Sequence, residues 1–403
     1  MKYDFTSHID RHGLDSVAVD SIGGTVWGIE PKAAKEGYDE IPMWVADMNF
    51  ATCPSITSAI RTRLEHPLFG YFVPRDEYYD AVIKWQSEQN GFDNLSREEI
   101  GYENGVHGGI CSALSVLTQP GDTVLLHSPA YVGFIGDLKQ LGRYPSYSPL
   151  AKDRDGIWRM DFEDMERRIR EKNIHLAIFC SPHNPTGRVW EKWELERAME
   201  LFAKYDVTVL SDEIWSDIIF AGQKHIPTRM VSEDAAMRTI SFYAPSKTFN
   251  LAGMIGSYHI IHNPELRQRI RRYERSLCYN EMNILSMYAL MGAYSEEGRE
   301  WVKELRKVLE ENCRYAVDFI NKELPGCTAS MPQGTYMIFM DVSEYAGAHD
   351  LTMDEILDAG WRVGVAYQDG RQFKGPMSIR LNCALPKDRL EEAMRRMKEL
   401  VFR

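Results

Sequence analysis

No stretch of this chain approaches the roughly 18 consecutive apolar residues that a membrane-spanning helix needs, which argues against a helical integral membrane protein. Positive charge is also scarce. The 47 Lys and Arg stand against 59 Asp and Glu, a net charge of -12, so the molecule has no general attraction for nucleic acid or an anionic membrane. A single local basic run, Arg267-Gln268-Arg269-Ile270-Arg271-Arg272, reads as a solvated helix face. The seven cysteines, at 53, 111, 180, 278, 313, 327 and 383, include no C-x-x-C pair, and the polar start Met1-Lys2-Tyr3-Asp4 is not that of a secretory segment. A reduced, cytoplasmic protein is the expectation. His259 and His262 have no Cys, Asp or Glu cluster beside them in the sequence, so no metal site is expected. The dinucleotide fingerprint with its later ribose acid is missing, which argues against a nicotinamide-dependent dehydrogenase. Repeats and low-complexity linkers are lacking too, while 403 residues with 44% hydrophobic content are enough for two globular domains.

Four short β-branched and apolar stretches are present, and each leads to a residue with chemistry to offer. Thr123 to His127 precedes Ser128-Pro129-Ala130-Tyr131, and His175 to Cys180 precedes Ser181-Pro182-His183-Asn184-Pro185. Val207 to Leu210 precedes Ser211-Asp212-Glu213, and Thr239 to Tyr243 precedes Ala244-Pro245-Ser246-Lys247. Helical patterns between these stretches supply the crossovers of a mainly parallel sheet, and ligands of α/β folds bind at the carboxyl rim of such a sheet. The rim would then carry Tyr131, Asn184, Asp212 and Lys247. Taken singly, these residues have plainer readings. Asn184-Pro185 makes a turn, Asp212-Glu213 caps a helix, Tyr131 and Trp215 fill a core, and Arg380 pairs at a sheet edge.

Jointly they match the parts of a pyridoxal 5'-phosphate (PLP) ring. A lysine amine with a lowered pKa can form the Schiff base, a carboxylate can keep the pyridine nitrogen protonated, an amide can donate to the phenolate oxygen, and an aromatic ring can stack on the face. For the phosphate, Asn104-Gly105-Val106-His107-Gly108-Gly109 precedes the amphipathic run Ile110 to Leu117, so the backbone of Gly105, Val106 and His107 can lie at a helix N-terminus, with the Ser246 hydroxyl as a further donor. An ordinary strand-to-helix turn is an equally open reading of that glycine cluster.

On these residues, together with Pro42 to Met48, Phe69-Gly70-Tyr71, His183 to Trp190, Ser246 to Gly253 and Arg380-Leu381-Asn382-Cys383-Ala384, the chain resembles the fold-type I PLP enzymes. Within them it is similar to the cystathionine β-lyase or cysteine-S-conjugate β-lyase branch of the class I/II aminotransferase-like family. The resemblance implies an α/β fold. A large PLP-binding domain (50–290) would carry a mainly parallel seven-stranded sheet, and a smaller α/β domain would form from 1–49 and 291–403. It implies Lys247 as the Schiff-base and catalytic lysine, Asp212 as the pyridinium partner, Asn184 as the phenolate donor, Tyr131 as a stacking and catalytic ring, and Trp215 as a cofactor neighbour. Arg380, with Ala46 and Asn184, would bind the substrate, its guanidinium fork gripping the α-carboxylate. Tyr71 would reach the phosphate of a second subunit, implying a homodimer with shared sites.

The chain departs from the relatives at several positions. Ile255 stands where many aminotransferases have a phosphate-binding arginine, Trp215 where tyrosine or histidine is usual, Val132 where lyases often have a second tyrosine, and Asn49 where aspartate is common. The expected reaction is α,β-elimination on a cysteine-type amino acid, giving thiol, pyruvate and ammonia. Transamination and racemisation, which share its early steps, stay open, as does a regulatory role on a PLP-enzyme scaffold.

Overall fold

Successive residues of a strand face opposite sides of a sheet, and in this chain both sides are apolar, so the sheet is covered by helices on each face. The structure, a computed structural model, describes residues 1–278 and 280–403. Its larger compact unit comprises Thr52–His183 and Arg188–Lys303. Among the described residues its main sheet has seven strands: β1 (Ile100–Glu103), β2 (Thr123–Ser128), β3 (Tyr144–Pro149), β4 (Leu176–Cys180), β5 (Thr208–Asp212), β6 (Thr239–Tyr243) and β7 (Ser257–Ile261). They form one sheet in the order β1-β7-β6-β5-β4-β2-β3. β7 runs antiparallel to both neighbours, and every other pair is parallel.

The two core layers follow from the alternation. Val124, Leu126, Leu176, Ile178, Leu210, Ile240 and Phe242 pack in one buried cluster with Ile110 and Leu114 of helix α1 (Gly105–Leu117) and Phe134 and Leu138 of helix α2 (Val132–Gln140). Leu125, Ala177, Phe179 and Val209 face the other way, onto Leu195, Met199 and Phe202 of helix α3 (Lys192–Lys204). In the same unit, helix α4 (Pro264–Ser276) begins at Asn263, whose side chain accepts from the amides of Glu265 and Leu266. A proline at its first position is favourable there because no partner for its missing N-H is needed.

The smaller unit comprises Met1–Ala51, Asn184–Gly187 and Glu304–Arg403. Its four-stranded sheet is built from β8 (Thr328–Ala329), β9 (Met337–Asp341), β10 (Gln368–Asp369) and β11 (Ser378–Asn382), antiparallel in the order β8-β9-β11-β10. Sequence pattern predicts a strand over Gly334 to Met340, yet β9 starts only at Met337, because Thr335 takes a left-handed φ of +67° that ends strand geometry.

The grouping differs from the expected boundaries at residues 50–51 and 184–187, which belong to the smaller unit, and over residues 291–303, which belong to the larger unit. Aromatic packing explains the last of these. Tyr294 stacks on Trp85 at 4.5 Å and 4°, and Trp301 stacks on Phe249 at 5.5 Å and 22°. Among the described residues, no helix is long and apolar enough to cross a membrane.

Candidate active site

β4, β5 and β6 are in parallel register, with Cys180 beside Asp212 and Asp212 beside Phe242, so the chain leaves all three strands at one edge. The ladder continues one step further, with the Ser181 amide donating to Asp212 O at 2.9 Å and the Glu213 amide to Phe242 O at 2.9 Å. Asp212 is therefore a strand residue and not the cap of a helix. Beyond β6 a turn is closed by Phe249 N to Pro245 O at 2.8 Å and Leu251 N to Ser246 O at 3.0 Å. The buried Thr248 hydroxyl donates to Asp217 at 2.9 Å, and Asp217 also accepts the Trp85 indole N-H at 3.0 Å. Lys247 is held between these anchors, its Nζ 5.9 Å from the centroid of the buried Trp215 ring, within cation–π range.

Two adjacent carboxylates have opposite surroundings. Glu213, wholly buried, accepts from Ser211 Oγ (2.9 Å), the Thr228 amide (3.1 Å), Tyr243 OH (2.7 Å) and His225 Nε2 (2.8 Å). Asp212 is also buried and accepts the Ile214 amide at 3.1 Å. Burial pushes its carboxyl up to about 6, against the opposing pull of that amide and of the His107 and Lys247 charges. A cation placed against Asp212 would relieve that desolvation cost.

At the same edge helix α1 begins with Asn104 at its N-cap and no side-chain cap, and Gly105 takes a φ of +80° that favours glycine. Its first-turn amides form an anion-binding end. His107 is clamped by Asp137 Oδ2 at 2.7 Å from Nδ1 and by Tyr131 OH at 3.3 Å from Nε2, and its ring lies 5.4 Å from that of Tyr131. Desolvation works against a charged His107, but the Asp137 bond and the charges of Asp137 and Asp212 outweigh it and raise the imidazole pKa.

Gly133 makes this arrangement possible, since a Cβ there would meet His107 Cε1 at 1.9 Å and Tyr131 Cε1 at 2.7 Å. Gly133→Ala is accordingly expected to lower the unfolding free energy by about 1–3 kcal/mol in a denaturant titration. Gly136→Ala, on the same helix and with nothing within 4 Å of the added carbon, should instead raise it by up to about 1 kcal/mol.

In the smaller unit Arg380 lies on β11, which is flanked by both β9 and β10, so it is not at a sheet edge. It is buried, Nη1 donating to Asn184 Oδ1 at 3.2 Å and Nη2 to Trp44 O at 2.7 Å, with the Phe373 ring centroid 4.6 Å from Cζ. The bond to Oδ1 turns the NH2 end of Asn184 outward from Arg380 as a donor. Segment 184–187 is pinched at its base by the backbone pairing of His183 with Arg188. Gly187 O accepts from the amides of Gln333 (2.8 Å) and Gly334 (3.1 Å). Asn382 Nδ2 donates to the carbonyls of Val45 and Asp47, and Tyr336 OH to that of Ala46 at 3.1 Å, so the Pro42 to Asp47 segment is fixed against the sheet that carries Arg380.

A sheet edge presenting lysine and a buried aspartate beside an uncapped helix, on this strand order, calls for comparison with known proteins. Residues 39–397 match the family model described as aminotransferase class I and II. The chain belongs to the class I and II aminotransferase family. Among members and structural neighbours, it is 34% identical over 400 residues to cystathionine beta-lyase PatB of Bacillus subtilis (strain 168), covering 98% of each chain. The PLP-bound C-S lyase from Staphylococcus hominis superposes with a TM-score of 0.89 at 30% identity, over 100% of this chain and 99% of that one. Cystalysin from Treponema denticola, whose crystal structure contains a pyridoxal 5'-phosphate cofactor, gives a TM-score of 0.89 at 31% identity, over 99% and 98%.

Within this family member the larger unit gathers His107, Tyr131, Asp212, Trp215 and Lys247 through the contacts and charge interactions above, together with the backbone of Gly105 and Val106. Ser246 sits half-buried on the turn before Lys247. Asn184, Arg380 and Ala46 are gathered in the smaller unit. Tyr71 is fully exposed, on a segment where Leu68, Phe69 and Val73 are exposed as well. Ile255 is exposed, with a left-handed φ of +45°. Sequence reasoning missed Gly133, Asp137, Asp217 and the Glu213–His225 pair. Only the spacing of Gly133 two residues after Tyr131 offered any signal.

Proposed function

We propose that this chain is a PLP-dependent carbon–sulfur β-lyase, cleaving the Cβ–S bond of cysteine S-conjugates to give a thiol, pyruvate and ammonia. The full-length likeness to cystathionine beta-lyase PatB carries the choice of reaction. The donor set fits the cofactor. Asp212, a carboxylate under a desolvation strain that a protonated ring nitrogen would relieve, ends β5, and the uncapped start of α1 can take the phosphate at the amides of Gly105, Val106 and His107 with help from Ser246. Tyr131 and Trp215 would flank the ring, and Asn184 would donate to its phenolate oxygen. Tyr71, exposed on an apolar segment, supports a second copy of the chain as partner in a homodimer. A reducing, cytoplasmic location is part of the proposal, supported by seven free thiols.

When bound, PLP supplies an electron sink that acidifies the substrate Cα–H. Arg380 binds the α-carboxylate through its guanidinium, and its hydrogen bonds to Asn184 and Trp44 O fix the plane of that fork. Lys247 Nζ takes the α-proton, and the Cβ–S electrons leave on sulfur, which becomes the thiol on protonation. The three-carbon remainder takes up water to give pyruvate and ammonia.

Purified PLP-loaded protein should release pyruvate, thiol and ammonia in equal amounts from L-cystathionine and from S-methyl-L-cysteine with no 2-oxo acid present. Amino transfer that requires a 2-oxo acid and yields no pyruvate would replace the lyase by an aminotransferase.

A further inference from the structure

On strands β1 and β7 of the larger unit, with Glu103 two residues before Gly105 at the start of α1, the fold brings together three side chains that the sequence keeps far apart. Glu103 ends β1, His259 lies in β7 opposite Gly101, and Glu274 comes from the last turn of α4. One nitrogen of His259 and one oxygen from each glutamate lie within 4.8 Å of one another. All three are buried, at 0%, 1% and 6% exposure for Glu103, His259 and Glu274. His259 Nδ1 is 2.6 Å from Glu103 Oε1, and Asn280 Nδ2 donates to Glu103 Oε2. Glu274 Oε1 and His259 Nε2 nevertheless have no hydrogen-bond partner among the described residues. Orphaned buried polar atoms are uncommon and costly, and an ion is one way to satisfy them.

Space for the cluster exists because residue 101 is glycine, as a Cβ there would lie 2.2 Å from the His259 ring. A cavity of about 600 Å³, lined by Gly101, His259, Arg271, Glu274 and Asn280 among others, opens onto it and gives solvent access. Arg97 and Arg275 also line it, and Arg271 is turned onto the carbonyls of Glu98 (2.7 Å) and Ile100 (3.0 Å).

We propose that Glu103, His259 and Glu274 form a binding site for one divalent transition-metal ion of the Mn²⁺ to Zn²⁺ class, with water from the adjoining cavity completing its coordination. Imidazole with two carboxylates is a donor set for such ions, and the two ionised glutamates neutralise the dication. The ion takes up the orphaned His259 Nε2 and Glu274 Oε1, displaces the protons that burial holds on the two carboxyls, and its ligands settle at about 2.0–2.2 Å from it.

Mn²⁺ is the probe, because sulfur ligands such as the exposed Cys278 side chain bind it poorly. Titration of the PLP-loaded protein, followed by the electron paramagnetic resonance of free Mn²⁺, should show one ion bound per chain and resistant to excess Mg²⁺. Glu274→Gln and His259→Gln, each checked for native circular dichroism and cofactor content, should weaken it at least tenfold. Unaltered binding in both variants, or no stoichiometric binding in the parent protein, would overturn the proposal. Should either variant fail to fold, crystals of the parent soaked in Mn²⁺ decide the matter, by an anomalous peak among the three side chains or by its absence.

Discussion

Lys247→Ala should reduce pyruvate release from L-cystathionine by about 10⁴-fold or more, since both the covalent anchor of the cofactor and the proton acceptor are lost with one amine. Lys247→Arg should be nearly as inactive. A guanidinium stays protonated at any working pH, so it can preserve charge but cannot accept the α-proton. Two further readouts separate chemistry from damage. Borohydride treatment should fix the mass of the cofactor onto the parent protein and onto neither variant. Added primary amines should partly restore Lys247→Ala, which a purely structural role for the side chain would not allow. Thr248→Val is the matched control. It removes the hydroxyl that donates to Asp217 at 2.9 Å next to the lysine, and should slow turnover far less while leaving the covalent link intact. Near-parent activity of Lys247→Ala would remove the residue from the reaction.

The order of strand ends was legible because a buried parallel strand writes itself as a short apolar run, and its last residue and the turn after it are displayed at the rim. Asp212 and Lys247 could be found this way. What escaped notice depends on contacts between distant segments. Glu213 looks like a second candidate acid next to Asp212, and only the fold shows it turned to the opposite face and saturated by four donors. Gly133 reads as a mid-helix glycine until His107, 26 residues earlier in the numbering, is seen against it. His259 reads in the sequence as a strand-end residue because no acid lies near it in the chain. Glu103 is 156 residues away and is brought to 2.6 Å by an antiparallel pairing that periodicity does not specify. The Thr335 turn, which shortens β9, had no signal beyond the preceding glycine. Residues 291–303 follow the larger unit through aromatic stacking and not through any boundary composition.

Asp212→Asn should separate stability from catalysis. The folded carboxyl, at about 6, lies above its ordinary value of 3.8. Well below 3.8 it is protonated in both folded and unfolded chains and costs nothing. As pH rises between these two values the unfolded chain releases the proton while the folded chain retains it, so stability falls, and above about 6 the full cost of about 2–3 kcal/mol is present. The asparagine variant never incurs that cost. Cofactor-free Asp212→Asn should therefore be more stable than the parent by up to about 2–3 kcal/mol at pH 8 and equal to it near pH 3, as read from denaturant unfolding at the two pH values. With PLP bound the comparison should reverse, because the carboxylate then has a cation to face and an amide cannot keep the ring nitrogen protonated. Turnover should fall on the order of 10²–10³-fold, in the range found for removal of a single preorganised electrostatic partner. Equal stability of the two cofactor-free proteins at pH 8 would mean that solvent reaches Asp212 and that its burial does not bias the site toward a cation.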